Sequence, residues 1–421
     1  MEGRLQNGFL RGRAILLSAI LGEACKSNLT GSMRILYIHS TPVPPSLDTR
    51  TDRFFLLSQT LEGDVLQPIW FRTPQEVEAE LGPGSFPVYE SGQFRYHWFL
   101  TFHPGGRKRP RMALFWFYIR KAVELHRQTA FDCVVAYSHM TTGLLAVAVK
   151  LLTGSKLVIE LATDPQRVYV TEHARPTVRD RLMKLYSDVC LHLSLWAADR
   201  VHLLNATQIA AYPLLRNVGA SVFHDFVPVS VVPPHDEAGE RYIVMVGSPW
   251  YLKGADRAIA AFHRLASDFP DVTLKIVGWY LQAEREQLER LAAGSKQIEL
   301  VRAAPNPIIL RMISGCLVLI HPSRCEGGPR TVIEALAAGV PVVGSDVGWI
   351  PEMIRQGENG FVVPGGNVPE LEARVRELLA SPDLRRRLGA SGYELAHARL
   401  TEQVYVEKFT AMVAAAVRGG P

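Results

Sequence analysis

Short apolar runs alternate with longer amphipathic segments along most of the chain. In the first half, the strand-length runs are 34–38, 132–136, 157–161 and 200–204, and helical periodicity covers 142–152 and 181–197. The second half has its own series of apolar runs, at 242–246, 272–277, 298–301, 317–320 and 342–343. Strands that alternate with helices are typical of parallel sheets with helical crossovers. The pattern predicts an α/β fold with two doubly wound, Rossmann-like domains.

A proline-rich segment at 227–234, followed by polar residues at 235–241, separates the two series. This segment predicts a hinge, and 421 residues are enough for two cores. Ligands of doubly wound sheets bind beyond the carboxyl ends of the strands, so we expect the two domains to face a cleft.

The chain begins with a segment that the alternating pattern does not include. Three arginines precede an apolar run at 14–21, and this arrangement weakly resembles a secretory signal peptide. The run is too short to span a bilayer, and Met33 opens the first strand-length run. We therefore interpret residues 1–32 as a poorly ordered N-terminal extension and place the first domain at 33–234.

The clearest candidate for chemistry is the turn after the apolar run at 317–320. Gly327, Gly328 and Pro329 predict a turn between this strand and a helix at 331–338. Free backbone amides and the positive end of the helix dipole make such a turn a binding site for phosphate.

Two carboxylates flank the turn. Glu326 lies on its strand side, and Glu334 falls about one turn into the helix, with its side chain leaning back toward the N-terminus. A carboxylate accepts strong hydrogen bonds from vicinal hydroxyls, so a ligand that carries both phosphate and sugar fits the pattern. A sugar nucleotide is the natural candidate.

Glu326 and Glu334 have the spacing of an E-x7-E signature, and their surroundings resemble the large retaining glycosyltransferase family often called group 1 or family 4. The resemblance is densest from Pro322 to Gly360. Its elements, in order, are Pro322-Ser323, Glu326-Gly327, Glu334-Ala335, 339–343, 346–348, Pro351-Glu352 and Asn359-Gly360.

The resemblance implies the GT-B architecture and transfer of a hexose from a nucleoside-diphosphate sugar with retention of configuration. It implies that Glu334 holds the ribose hydroxyls and that Glu326 orients the donor sugar or stabilises an oxocarbenium-like transition state. In that family the last helix returns to the first domain. We therefore expect a nucleotide-sugar-binding domain at 235–400 and a returning helix at 401–421.

The second domain opens with a glycine turn and a cation. The family usually reads G-R-x4-K-G here, so Lys253 matches its phosphate-binding lysine, whereas Ser248 stands where an arginine is common. Lys253 would stabilise the departing diphosphate, and Arg330 is the candidate for the missing cation. We predict Glu326 and Lys253 as catalytic residues. The predicted nucleotide-binding residues are Gly247, Ser248, Lys253, Gly327, Gly328, Pro329, Arg330, Thr331 and Glu334.

The first domain departs from the family pattern, because no glycine pair follows its first strand and a histidine common after a middle strand is missing. Glu160 and Asp164 lie at a predicted strand end that faces the cleft, and His139 follows the run at 132–136. These three residues are the candidates for binding the acceptor. For His139, a buried structural role is the alternative.

Residues 94–127 combine strong positive charge with aromatic side chains. They carry eight Lys or Arg against one acid, together with nine aromatics, while the whole chain has a net charge of only +5. Cations beside Trp and Phe suit an anionic membrane surface, so we predict a peripheral contact that presents a lipid-linked acceptor. A buried aromatic helix with a charged rim is the plain alternative, and nucleic acid fits less well.

The sequence lacks the signature motifs of several other classes of protein. Neither G-x-G-x-x-G, a P-loop, nor G-x-S-x-G occurs, which argues against dehydrogenases, P-loop NTPases and serine hydrolases. Neither H-x-x-x-H nor D-x-D occurs, so we expect no metal and no cofactor besides the donor. Five cysteines without a C-x-x-C pair suggest reduced thiols and a cytoplasmic enzyme, on the inner face of the membrane if the peripheral contact forms.

The sequence favours a glycosyltransferase acting on a glycan or lipid-linked acceptor. A sugar-nucleotide 2-epimerase with the same architecture is one alternative. A non-catalytic, glycosyltransferase-like partner subunit is another, given Ser248 and the missing histidine. The donor base, donor sugar, acceptor and linkage do not follow from the residues.

Overall fold

A computed structural model describes residues 32–39, 52–69, 73–103, 108–165, 167–168 and 175–419. Apart from residue 32, the predicted N-terminal extension at 1–32 lies outside these residues, as does Arg107 of the basic segment.

Eight described strands form the first sheet, in the order β3-β4-β2-β1-β5-β6-β7-β8. Strands β3 and β4 are antiparallel, whereas β1, β5, β6, β7 and β8 run parallel to one another. Their bounds are β1 Met33–Ile38, β2 Leu61–Ile69, β3 Val88–Ser91, β4 Phe94–Leu100, β5 Cys133–Tyr137, β6 Lys156–Leu161, β7 Arg200–Leu203 and β8 Gly219–Val222.

Six described strands form the second sheet, in the order β11-β10-β9-β12-β13-β14, and every neighbouring pair is parallel. Their bounds are β9 Tyr242–Val246, β10 Thr273–Gly278, β11 Ile298–Arg302, β12 Val318–His321, β13 Val342–Ser345 and β14 Gly360–Val363. The predicted α/β fold with two parallel-sheet domains is confirmed.

Helices cover both sheets. In the first half they are α1 Arg53–Leu57, α2 Pro74–Leu81, α3 Arg111–Gln128, α4 Thr141–Thr153, α5 Val178–Ala197 and α6 Thr207–Ala211. In the second half they are α7 Trp250–Lys253, α8 Ala255–His263, α9 Gln282–Ala292, α10 Asn306–Ser314, α11 Arg330–Ala338, α12 Ile350–Met353, α13 Val368–Ala380, α14 Pro382–Arg399 and α15 Glu402–Arg418.

The basic, aromatic segment at 94–127 has two different environments. Strand β4 buries Phe94, Tyr96 and Trp98 in the first sheet, so these rings belong to the core. Helix α3 exposes Met112 and Trp116. Among the described residues of 94–127, the exposed large apolar side chains therefore lie on α3.

The last helix lies on the first sheet although the chain reaches it from the second domain. Tyr405 and Phe409 of α15 are buried, and the guanidinium of Arg53 lies 5.2 and 5.0 Å from their ring centres. Arg53 is in turn ion-paired with Glu160 at 2.9 Å. Stacking of a desolvated guanidinium on aromatic rings is favourable, so α15 is attached to the first domain by both packing and charge.

In the part of the chain that the structure describes, no helix combines the length and apolarity needed to cross a bilayer.

The packing of α15 generates a stability prediction. We expect Phe409→Ala to lower the free energy of unfolding by about 3–5 kcal/mol, because it opens a cavity beneath Arg53. Urea unfolding followed by circular dichroism measures this loss. Lys408→Ala, at the exposed neighbouring position, is the matched control and should change the value by less than about 0.5 kcal/mol. Equal stability of the two variants would contradict the packing role of α15.

Candidate active site

A cavity of about 330 Å³ lies where the two domains meet. Its second-domain wall comes from the carboxyl ends of β9 and β12 and the turn that follows β12. Its first-domain wall includes Tyr137, Asp164 and Asp225. The complete lining is Tyr137, Ala162, Thr163, Asp164, Val168, Asp225, Val246, Gly247, Ser248, Leu252, Lys253, His321, Cys325, Glu326, Gly327, Gly328, Pro329, Arg330 and Thr331.

The carboxylate of Glu326 is the most strongly bound polar group of this cavity. Its Oε1 atom lies 2.6 Å from Nζ of Lys253 and 2.8 Å from both Oγ of Ser323 and Nε2 of His321. All three contacts use Oε1, and no hydrogen bond within the described residues reaches Oε2. The carboxylate is therefore held by its neighbours at one oxygen only.

The same contacts fix the charge of Glu326. Burial alone would raise the pKa of its carboxyl group, but the charges of Lys253 and His321 and their hydrogen bonds lower it to about 2. The group is therefore ionised at neutral pH.

Glycines bring the second domain's main chain close to its neighbours. A Cβ atom on Gly327 would lie 2.4 Å from the carbonyl oxygen of Ala162, so only glycine fits where the turn meets the first domain. The amide of Asn205 donates to the Gly327 carbonyl at 3.1 Å. Gly247 has a φ of +146°, and the side chain of Lys253 lies against its Cα. Gly327 therefore allows the close contact with the first domain, and Gly247 leaves room for the side chain of Lys253.

The predicted phosphate turn leads into α11, which begins at Arg330, and the N-cap residue Pro329 provides no side-chain capping hydrogen bond. Arg330 and Thr331 line the cavity at this helix start. Arg330 thus lies on the same cavity as Lys253 and Ser248. Ser248 itself exchanges hydrogen bonds with the main chain of Trp279, at 2.7 and 3.0 Å.

Glu334 lies further along α11 and is not among the lining residues. It is 4% exposed, and burial raises its pKa while the charge of Arg330 opposes the rise. No hydrogen bond from another described residue reaches its carboxylate. A hydrogen-bond donor that approaches a buried carboxylate of this kind lowers the free energy of its ionised form.

Of the three acceptor-side candidates, only Asp164 lines the cavity, where it accepts a 2.9 Å hydrogen bond from Tyr212. Glu160 is buried among Arg53, Tyr37 and His202. Burial would raise its pKa, but the charge of Arg53 and the contacts with His202 and Tyr37 lower it to about 2.

His139 is also outside the lining. Its Nε2 atom lies 2.7 Å from Oγ of Ser187, and burial lowers its pKa to about 4. These contacts are those of a structural histidine that packs α5 against the end of β5.

Sequence reasoning missed His321, Ser323 and Asp225 as site residues. His321 ends β12, and a polar residue at the carboxyl end of an otherwise apolar strand was the signal that could have identified it. Asp225 follows β8, a short strand without an apolar run, so no local pattern marks it.

Within the described ranges, no group of three or more His, Cys, Asp or Glu side chains is arranged to hold a metal ion.

This geometry can be compared with known proteins. Residues 233–395 match the family described as glycosyl transferases group 1. Among curated relatives, the D-inositol 3-phosphate glycosyltransferase of Streptomyces bingchenggensis is 32% identical over 136 residues, which are 30% of this chain and 30% of that protein. The chain spans less than half the length of the curated relatives it matches.

Solved structures share the fold over nearly the whole chain. Sucrose-phosphate synthase from Thermosynechococcus elongatus superposes with a TM-score of 0.71 at 18% identity, covering 91% of this chain and 98% of that one. Anabaena HepE, solved in complex with UDP and glucose, gives a TM-score of 0.66 at 15% identity and covers 91% and 100%.

The pKa of Glu326 generates a pH prediction. Because the folded pKa is about 2 and the ordinary value is 4.5, its ion pair stabilises the fold above about pH 4.5, and this contribution is lost as the pH falls toward 2. Glu326→Gln should therefore be less stable than the parent protein at pH 7, with a deficit that shrinks at pH 3. Urea unfolding at both pH values measures the difference. A deficit of the same size at both would show that Glu326 is not ion-paired.

Proposed function

We propose that this protein transfers a hexose from a nucleoside-diphosphate sugar to a glycan or lipid-linked acceptor with retention of anomeric configuration. The observation that carries the proposal is the ionised carboxylate of Glu326, bound to Lys253 at an interdomain cavity. Both residues lie in the segment that matches the group 1 glycosyl transferases.

Lys253 and the first amides of α11 bind the diphosphate in this proposal. The lysine ammonium has three donors, so it can contact phosphate oxygens while keeping its 2.6 Å contact with Glu326. The leaving diphosphate gains negative charge as the glycosidic bond breaks. A fixed ammonium and a helix N-terminus stabilise that charge without reorganising.

Glu326 acts on the transferred sugar. Its Oε1 atom is held by three donors, which fixes the carboxylate plane and leaves Oε2 to accept a sugar hydroxyl or to face positive charge at the anomeric carbon. Because the pKa of Glu326 is about 2, it serves as an anion and not as a proton donor.

Glu334 and Arg330 complete the donor site. Glu334 is buried, its pKa is raised, and the two hydroxyls of a ribose would supply the donors it lacks. Arg330 lies on the cavity near Ser248, the position at which the family commonly has arginine, and supplies the second cation. HepE was solved with UDP and glucose, which makes uridine the first base to test.

The acceptor enters from the first domain, where Asp164 and Asp225 face the cavity. Either carboxylate can orient an acceptor hydroxyl toward the donor. We also propose that the enzyme is cytoplasmic and independent of metal, and that 94–127 contacts an anionic membrane through the outer surface of α3.

Two substitutions test the assignment. We expect Glu326→Ala and Lys253→Ala each to lower turnover by at least roughly 100-fold, the scale of losing one preorganised electrostatic contact. The measurement is release of nucleoside diphosphate and free sugar from labelled nucleotide sugars, beginning with UDP-glucose. Glu358→Ala, a carboxylate 62% exposed in the same domain, is the control and should keep parental turnover.

The same assay separates the outcomes. Hydrolysis of the donor without acceptor supports a transferase, whereas changed sugar stereochemistry would indicate an epimerase. Binding without turnover would indicate a partner subunit. Near-parental turnover of either site variant would refute the roles of Glu326 and Lys253.

A further inference from the structure

Helix α5 carries large apolar side chains on the face that points away from the core. Seven of them are between 41 and 77% exposed. They are Val178, Leu182, Leu185, Tyr186, Val189, Leu193 and Trp196. At 100° per residue these positions fall within an arc of roughly 100° and extend for ~27 Å along the helix. We call this set the α5 stripe.

The opposite face of α5 is the one that packs on the first sheet. It buries Cys190, Leu191 and Leu195, together with the serines at 187 and 194. Oγ of Ser187 forms a hydrogen bond with Nε2 of His139, and Oγ of Ser194 donates to the His139 carbonyl at 2.8 Å. The opposite face of α5 therefore completes the packing on the sheet without the α5 stripe. The stripe is a second apolar surface of the same helix.

Exposed apolar side chains continue onto the neighbouring helix. Leu151 and Leu152 at the end of α4 are exposed, and Nζ of Lys150 donates to the carbonyl of Ala197 at 2.8 Å, which places these leucines beside the end of α5. A continuous exposed apolar surface of this extent on a folded chain marks an interaction site.

The charges around this surface identify its partner. Helices α3, α4 and α5 carry eight Lys or Arg and three acids. Each acid is already used: Glu124 pairs with Lys121, Asp188 pairs with Lys184, and Asp180 is buried in a capping box. Within the described residues, no ion pair reaches Arg120, Arg127, Arg179 or Arg181.

A second copy of the chain does not suit this surface. A twofold interface requires self-complementarity, and these three helices offer unpaired arginines without unpaired carboxylates to receive them. An anionic lipid surface supplies what is missing, because it accepts arginines at the headgroups and apolar side chains below them. Tyr186 and Trp196 are the aromatic types favoured at that boundary.

We propose that α5 lies in the plane of an anionic membrane surface, inserting the α5 stripe at the boundary between headgroups and acyl chains while Arg179 and Arg181 contact headgroup phosphates. The α5 stripe itself lies outside 94–127, whereas Arg120 and Arg127 beside it lie within that segment. The proposal does not depend on the proposed reaction.

Flotation of the full chain with vesicles tests the proposal. The vesicles contain phosphatidylcholine alone or phosphatidylcholine with phosphatidylglycerol. We expect the parent protein to float with the anionic vesicles at low salt and less with neutral ones. Leu185→Gln/Trp196→Gln should lower the fraction bound to anionic vesicles by at least about ten-fold, since each lost side chain removes buried apolar area.

The matched control is Leu291→Gln/Tyr393→Gln, which removes one exposed leucine and one exposed aromatic ring from the second domain. It should bind as the parent does. Arg179→Gln/Arg181→Gln should weaken binding and flatten its salt dependence. Met112→Gln/Trp116→Gln should have a smaller effect than the stripe variant. A larger effect would move the docking surface to α3 and overturn the proposal.

Three other results would overturn it: absence of the parent protein from the anionic vesicle fraction at low salt, parental flotation of the stripe variant, or a dimer in sedimentation that the stripe variant dissociates. Circular dichroism verifies that each variant is folded. Hydrolysis of nucleotide sugar is measured on the same samples, so failure of docking and failure of the proposed reaction are distinguished.

Discussion

The ion pair between Lys253 and Glu326 is the interaction on which the candidate site depends. A buried pair costs desolvation of two charges, and it is tolerated here because His321 and Ser323 add donors to the same carboxylate oxygen. Strands β9 and β12 are neighbours, so the residues that follow them meet at the middle of the second sheet. The turn at Gly327 then brings this charged centre against the first domain.

The first domain has a buried pair of its own. Arg53 joins Glu160, which also contacts Tyr37 and His202, and the guanidinium is covered by the rings of α15. This cluster lies on the sheet face opposite α5. One pair therefore organises the cavity, while the other attaches α15 to the first sheet.

Local pattern was sufficient for most parallel strands but not for the region at 61–100. Strand β2 reads LEGDVLQPI, in which Gly63, Asp64, Gln67 and Pro68 interrupt any apolar run. Asp64 can be buried because Arg34 and His97 pair with it from other strands. Partners so distant in the sequence cannot be inferred from the residues next to Asp64. The same limit applies to Glu160, which looks like a free carboxylate at a strand end until Arg53 and His202 are seen beside it.

Helix α5 shows a different limit. Its periodicity predicts a helix, yet periodicity does not say which of two apolar faces meets the sheet. The buried face contains serines whose donors are used by His139, whereas leucines and Trp196 face outward. Exposing large apolar side chains while burying hydroxyls is unfavourable if water is the only environment of the outer face. The arrangement becomes favourable once that face has an apolar boundary to enter and anions to pair with the arginines beside it.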